Sequence, residues 1–265
     1  LQNAHRLLHE SRSGEILLGF VLQQSRTYLY TYPEKIITPS QNKLFEALLS
    51  DRAKGTPIAY LLGEKEFYSL NFKVTPDTLI PRPETELLVD TALELLSAGE
   101  AKILELGTGS GAIAVSLAKQ RANLKIIATD FSPAALEVAK ENVAHYGLNT
   151  IDLMLSDWFS NIPPQTFDLI ISNPPYIADT DPHLQQGDLR FEPLSALQSG
   201  VDGLDDIRQI IMQAGTYLAP GGRVLLEHGY DQAEKLQSLF KQAHFHQIKT
   251  LRDLAGIPRV TWARK

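Results

Sequence analysis

Ile103-Leu104-Glu105-Leu106-Gly107-Thr108-Gly109-Ser110-Gly111-Ala112-Ile113-Ala114 reads as a short strand, a glycine turn and the first residues of a helix. Glycine lets a backbone turn sharply and lets a ligand approach without meeting a Cβ, and the helix behind the turn offers unpaired N–H groups. Outward from this stretch the same alternation continues. Helices are predicted at Ala112 to Gln120, Pro133 to Tyr146, Leu204 to Leu218 and Gln232 to Gln242. Strands are predicted at Lys125 to Thr129, Asp152 to Leu155, Phe167 to Ser172 and Arg223 to Glu227, the last after a Gly221-Gly222 turn. Ser132 is placed to cap the second helix and Gly147 to stop it. Two final strands, Gln247 to Leu251 and Arg259 to Ala263, have no helix between them and suit an antiparallel hairpin at a sheet edge. The expectation is an α/β fold: a doubly wound, mostly parallel seven-stranded sheet with helices on both faces.

Upstream the texture changes. Residues 1–62 have helical periodicity and no strand pattern. One helix is predicted around the stripe Ile16, Leu17, Phe20, Val21 and Gln24. A second opens at Pro39-Ser40, with Ser40 as cap and Leu44, Ala47 and Leu48 inward, and Gly55-Thr56-Pro57 ends it. Residues 63–78 are expected to form a β-hairpin linker around Phe67, Leu70, Phe72 and Val74. Residues 79–265 form the sheet domain. Its first helix follows Pro83 and runs to about Ser97, with Leu87, Leu88, Thr91 and Leu95 inward.

The 265 residues include no Cys, which removes disulfides, thiolate metal sites and a cysteine nucleophile together. The formal charge of −6 argues against a nucleic-acid partner. No apolar run reaches the ~18 residues that span a bilayer, and Leu1 to Arg6 lacks the shape of a signal peptide. No initiator Met is present, as if a short N-terminal stretch were missing. A cytoplasmic monomer is expected.

The turn reads Gly-x-Gly-x-Gly, not the Gly-x-Gly-x-x-Gly that seats a pyrophosphate on a helix N-terminus. Glu105, two residues before it, suits a cationic amine. Asp130 ends the second strand, where an acid takes the hydroxyls of a ribose. A ribose and an amino acid with no diphosphate between them describe S-adenosyl-L-methionine. Asp157 could accept from an adenine amino group and Trp158 could cover the ring face.

The fourth strand ends in Asn173-Pro174-Pro175-Tyr176. Two prolines fix φ and hold the carbonyls after Asn173 in set directions. An Asn side-chain oxygen and a Pro carbonyl can then accept both hydrogens of one planar NH₂ group, with Tyr176 against its flat face. Such a nitrogen is a poor nucleophile, because its lone pair is delocalised. Holding both hydrogens aims that lone pair at the electrophile. The work left for the protein is in-line alignment, a share of the ~7–11 kcal/mol that ideal positioning can supply.

At these residues the chain resembles the class I S-adenosylmethionine-dependent methyltransferases. More narrowly it resembles the PrmC (HemK) family, which methylates a glutamine amide in peptide-chain release factors. The resemblance also rests on Gly55-Thr56-Pro57-Ile58-Ala59-Tyr60 with Phe67, on Leu79-Ile80-Pro81-Arg82-Pro83-Glu84-Thr85-Glu86, on Phe191-Glu192-Pro193, on Asp202-Gly203-Leu204 and on Asp253-Leu254-Ala255-Gly256. It implies Gly107, Thr108, Gly109, Ser110, Gly111, Asp130, Trp158 and Asn173 around the cofactor. It implies Asn173, Pro174, Pro175 and Tyr176 around the glutamine of a Gly-Gly-Gln loop, and N-terminal helices that help grip the release factor. Family members often carry Asp in place of Glu105 and a second Gly in place of Ser199.

Other readings are weaker. Amino-group methylation of a nucleic-acid base poses the same NH₂ problem but usually needs a basic groove. A nicotinamide oxidoreductase would need the longer glycine spacing, and a non-catalytic adaptor has no use for Asn173 to Tyr176. No Gly-x-Ser-x-Gly elbow is present, so no hydrolase triad is expected, and no metal site is expected either. His228 reads as structural. Arg82 is read either as a roof over the cofactor or as a partner of Glu84 or Glu86. Glu192 is left without a role.

Overall fold

The computed structural model describes Leu8 and residues 12–265, which fall into two compact units. The first comprises the chain up to Glu64 together with residues 185–191. It contains α1 (Arg12–Leu22), α2 (Arg26–Thr31), α3 (Pro39–Ala53) and α4 (Ile58–Leu62). Leu17, Leu18, Leu29, Phe45 and Leu49 form its core.

Two details of this unit differ from the sequence reading. In α1 Phe20 is 42% exposed and Leu18 is buried in its place, while Gln24 lies beyond the helix. In α3 the cap is Thr38, not Ser40: its hydroxyl accepts the Gln41 N–H, and the Gln41 side chain accepts the Thr38 N–H. Pro39 suits the first helical position, so the capping residue must precede it. The buried face moves with the cap, to Phe45 and Leu49, and leaves Leu44 exposed.

The second unit begins at Lys65, within the hairpin of β1 (Glu64–Phe67) and β2 (Leu70–Lys73). Its two-residue turn, Tyr68-Ser69, holds both residues at positive φ (52° and 60°), the twist that a tight hairpin prefers. A single 3₁₀ turn, Pro83–Thr85, leads into α5 (Glu86–Leu95). Leu88, Val89, Thr91 and Ala92 face inward there, and Leu87 and Leu95 are only half-buried.

The sheet consists of β3 (Ala101–Leu106), β4 (Leu124–Asp130), β5 (Ile151–Leu155), β6 (Phe167–Ser172), β7 (Leu218–Glu227), β8 (His246–Arg252) and β9 (Pro258–Arg264). Between them run α6 (Ala112–Gln120), α7 (Pro133–His145), α8 (Asp205–Tyr217) and α9 (Ala233–Gln242). The strand order is β5-β4-β3-β6-β7-β9-β8, parallel except at β9. The Gly221-Gly222 turn sits inside β7, where the register against β6 shifts.

Side chains alternate across the sheet. Ile103, Ile126, Leu169 and Leu225 pack under α5, α6 and the hairpin phenylalanines. Leu104, Leu106, Ile170, Val224 and Leu226 pack under α8 and α9. Burial on both faces is what a parallel sheet requires. β3 pairs with β4 on one side and β6 on the other, so the strand order reverses beside Leu106 and Ser172. That reversal is where an open α/β sheet leaves a crevice. Among the described residues no helix is long and apolar enough to cross a membrane.

Candidate active site

At the reversal lies a cavity of about 650 Å³. Gly107, Thr108, Gly109 and Ser110 form one wall, and Asp130, Trp158 and Asn173 form others. The turn folds on itself: Thr108 N–H donates to the Thr129 carbonyl at 2.8 Å and Gly111 N–H to the Thr108 carbonyl at 2.9 Å. Gly107 and Gly109 hold φ of 70° and 55°, the left-handed region where a side chain is strained.

Asp130 braces the turn from the next strand. Its Oδ2 accepts the Gly109 N–H at 2.8 Å and its Oδ1 accepts the Ser132 N–H at 2.9 Å. Burial raises the Asp130 carboxyl above its ordinary value, and these N–H bonds pull it back.

Four expected residues stand elsewhere. Gly111 is off the cavity wall: a Cβ there would lie 3.3 Å from Ala139 Cβ, so this glycine lets α6 approach α7. Glu105 is fully buried beneath the turn, where its Oε2 accepts the Thr108 hydroxyl at 2.9 Å. It braces the loop from below and does not reach the cavity wall to hold an amine. Burial pushes its carboxyl up to about 8. Pro174 is buried, and only Asn173 and Pro175 of the four-residue motif line the cavity. The Tyr176 hydroxyl turns to Glu227 Oε1 at 3.3 Å, and burial followed by the Glu227 charge raises its pKa.

Asn173 is oriented from the chain leading into α5. Its Nδ2 donates to Thr85 Oγ1 at 3.3 Å. The side-chain oxygen is thereby left as an acceptor. Ile177 N–H donates to the Leu197 carbonyl and Ser199 N–H to the Ile177 carbonyl, both at 2.9 Å, fixing the chain after the motif.

The chain matches the PrmC N-terminal domain family over residues 1–63 and the methyltransferase small domain family over residues 83–188. It is 47% identical over 253 residues to the release factor glutamine methyltransferase of Escherichia coli (strain K12), covering 96% of this chain and 91% of that one. It is 48% identical to the enzyme of the same name from Coxiella burnetii, over 95% and 91%.

The chain belongs to the release factor glutamine methyltransferase family. It is therefore an S-adenosylmethionine-dependent methyltransferase. Among solved structures it resembles a methyltransferase from Pyrococcus furiosus (TM-score 0.57, 20% identity, 83% of this chain and 96% of that one). It also resembles the T. thermophilus 16S rRNA N2 G1207 methyltransferase solved with AdoMet and guanosine (TM-score 0.56, 17% identity, 76% and 49%). At such identities these two establish the class I methyltransferase fold alone.

The residues of this methyltransferase fit the cofactor. The glycine wall leaves room that side chains would take, and Asp130 offers two acceptor oxygens beside it. Several wall residues escaped the sequence reading. Phe131 follows Asp130 and is 54% exposed, a large apolar surface at the cavity's edge. An aromatic directly after a strand-ending acid was the available signal. Asp206 Oδ1 accepts the Trp158 indole N–H at 3.2 Å from the start of α8. Glu192 has a fully buried side chain that accepts the Ile80 N–H at 3.1 Å and pairs with Arg82. Arg82 thus joins neither Glu84 nor Glu86. The pair ties together two irregular segments that wall the cavity, one through Thr78, Leu79 and Pro81 and one through Pro193, Ser195 and Ala196. His228 is structural, with its ring nitrogens against Thr261 Oγ1 and the Gly229 carbonyl at 2.9 and 2.8 Å.

Proposed function

We propose that this enzyme methylates the side-chain amide nitrogen (N5) of the glutamine in the Gly-Gly-Gln motif of peptide-chain release factors. The observation that carries the reading is Asn173: its own NH₂ is committed to Thr85, so its oxygen is the group presented to an incoming NH₂. Together with a proline carbonyl it would offer two acceptors for the two hydrogens of an NH₂, whereas a hydroxyl or thiol brings only one. The cofactor, when bound, supplies a methyl group on a positively charged sulfur, already reactive toward a nitrogen lone pair.

The residues divide the work. Gly107, Thr108, Gly109 and Ser110 cradle the cofactor, Asp130 takes the ribose hydroxyls and Trp158 flanks the base. The Asn173 oxygen and a proline carbonyl of the corner hold the two amide hydrogens, which turns the nitrogen lone pair toward the methyl carbon. Pro175 stiffens the corner, and Tyr176 borders the acceptor. No base is needed before transfer, because the nitrogen sheds its proton afterwards. Alignment is the main contribution. We further assign residues 1–62 to release-factor recognition, residues 63–78 to the hairpin linker and residues 79–265 to catalysis. We place the enzyme in the cytoplasm as a monomer, in keeping with a translation-factor substrate and a cysteine-free chain.

The test is transfer from methyl-labelled cofactor to a purified release factor. Label should appear on the factor and vanish when the glutamine of its Gly-Gly-Gln motif is replaced by alanine. Label on RNA or DNA alone overturns the reading.

A further inference from the structure

Gln232 stands just ahead of α9 and is 5% exposed, and the reaction described above gives it no role. A residue at the start of a helix ordinarily turns its side chain to the helix's own free N–H groups. Gln232 makes no such bond. Its Nε2 donates instead to the Tyr176 carbonyl at 2.9 Å and to the Gly203 carbonyl at 3.2 Å, and its Oε1 accepts the Gly229 N–H at 2.8 Å. The Gly229 N–H can only donate, so it fixes the amide oxygen on its own side and leaves both amide hydrogens for the two carbonyls. Gln232 thereby joins the end of the Asn173-Pro174-Pro175-Tyr176 corner to the turn before α8 and the turn after β7. Gly203 admits this approach: a Cβ there would lie 2.9 Å from Gln232 Nε2.

The peptide after Tyr176 is held on both edges. Its carbonyl accepts from Gln232, and its N–H, that of Ile177, donates to the Leu197 carbonyl at 2.9 Å. At the other end of the corner Ser172 lies in β6, in register with Leu106 and Leu226, and its hydroxyl donates to the Leu106 carbonyl at 2.7 Å. Four residues therefore run between two fixed points. The prolines lock φ at 174 and 175 but leave ψ free. Two fixed ends restrict what the rings do not. With the downstream end released, the corner would keep its rings and lose the set direction of its carbonyls.

We propose that Gln232 is a positioning residue of the acceptor site: by pinning the Tyr176 carbonyl it clamps the proline corner at its downstream end, and so aims the carbonyl that joins the Asn173 oxygen in receiving the substrate NH₂. The inference rests on the amide-methylation reading above.

The experiment compares Gln232→Met, which keeps bulk and removes all three bonds, with Gln232→Glu, which keeps an acceptor for Gly229 and loses the NH₂. Hydrogen exchange is read by mass spectrometry with S-adenosylhomocysteine bound and no acceptor present. In Gln232→Met the fragment that holds the Ile177 amide should exchange about 5- to 100-fold faster, while fragments from β3 and β4 keep wild-type rates. Steady-state methylation of a release factor is then measured at saturating cofactor, alongside the Kd for S-adenosylhomocysteine. In Gln232→Met kcat should fall about 10- to 100-fold. The KM for the release factor should stay within about threefold, and cofactor-product affinity within about twofold. Gln232→Glu should lose at least about threefold in kcat.

A kcat within about twofold of wild type for Gln232→Met, or wild-type exchange at Ile177, overturns the proposal. So does faster exchange in β3 and β4, or cofactor-product affinity that falls in step with kcat, since either marks a general structural role. If Gln232→Met does not fold, Gln232→Glu is put through the same measurements, and unchanged kcat or unchanged Ile177 exchange overturns the proposal. The exchange arm needs no acceptor, so it reads the clamp by itself. Wild-type enzyme that fails to label the release factor sinks the amide reading, a separate result.

Discussion

Replacing Asp130 with Asn tests the ribose reading at the atom level. Each carboxylate oxygen already accepts one backbone N–H, from Gly109 at 2.8 Å and Ser132 at 2.9 Å. The Phe131 N–H also acts on this carboxylate, and the acceptor capacity left over is what a donor from the cavity would use. An Asn side chain keeps one acceptor oxygen and turns an NH₂ toward the other N–H. One ribose hydroxyl therefore loses its partner. A hydrogen bond to a charged group contributes ~1.5–3 kcal/mol, so the Kd for S-adenosylhomocysteine should rise ~10- to 150-fold. The variant also leaves a backbone N–H opposed, which should reduce the stability of the ligand-free protein by ~1–3 kcal/mol in urea unfolding. A double-mutant cycle separates the two effects. Calorimetry with S-adenosylhomocysteine and its 2′-deoxy and 3′-deoxy analogues, on wild type and variant, should show that at least one missing hydroxyl costs clearly less in the variant. Equal penalties in both proteins for both analogues, or a Kd within twofold of wild type, would refute the assignment.

Further outcomes follow from the same geometry. Asn173→Ala should cut methyl transfer at least ~100-fold while leaving the urea midpoint near wild type, and turnover within threefold contradicts the acceptor role. Glu105, held at about 8 by burial, keeps a proton that the unfolded chain releases above about 4.5. Its contribution therefore makes stability fall as pH rises from about 4.5 to about 8, by up to ~5 kcal/mol. Glu105→Gln should flatten that part of the pH–stability curve, and an unchanged slope speaks against a buried neutral carboxyl. Gly203 has φ +72°, and a Cβ there would lie 2.4 Å from the Tyr176 carbonyl oxygen. Gly203→Ala should destabilise by more than ~2 kcal/mol, and an unmoved thermal midpoint would mean that this contact is absent.

The alternation of strands and helices, the glycine turn and the acid closing β4 were legible in the sequence because each rests on neighbours a few residues apart, whereas the order of the strands was not. Strand alternation, the Ser132 cap and the Gly147 stop are signals of this local kind. Family resemblance supplied the reaction, which periodicity could not. What escaped were pairings across the chain. Thr85 orients Asn173 from 88 residues away, Glu192 ties down Arg82 from 110, and Asp206 holds Trp158 from 48. The motif residues were also sorted only in three dimensions: Gly107 and Gly109 face the cavity, while Gly111 spaces two helices and Glu105 braces the turn from beneath. Sequence determined that an acid, a glycine turn and an Asn-Pro-Pro-Tyr corner would gather at the strand ends, since strand direction follows from local pattern. Only the tertiary structure decided which way each side chain turned, because that depends on a buried partner whose place is set by packing and not by the neighbouring chain.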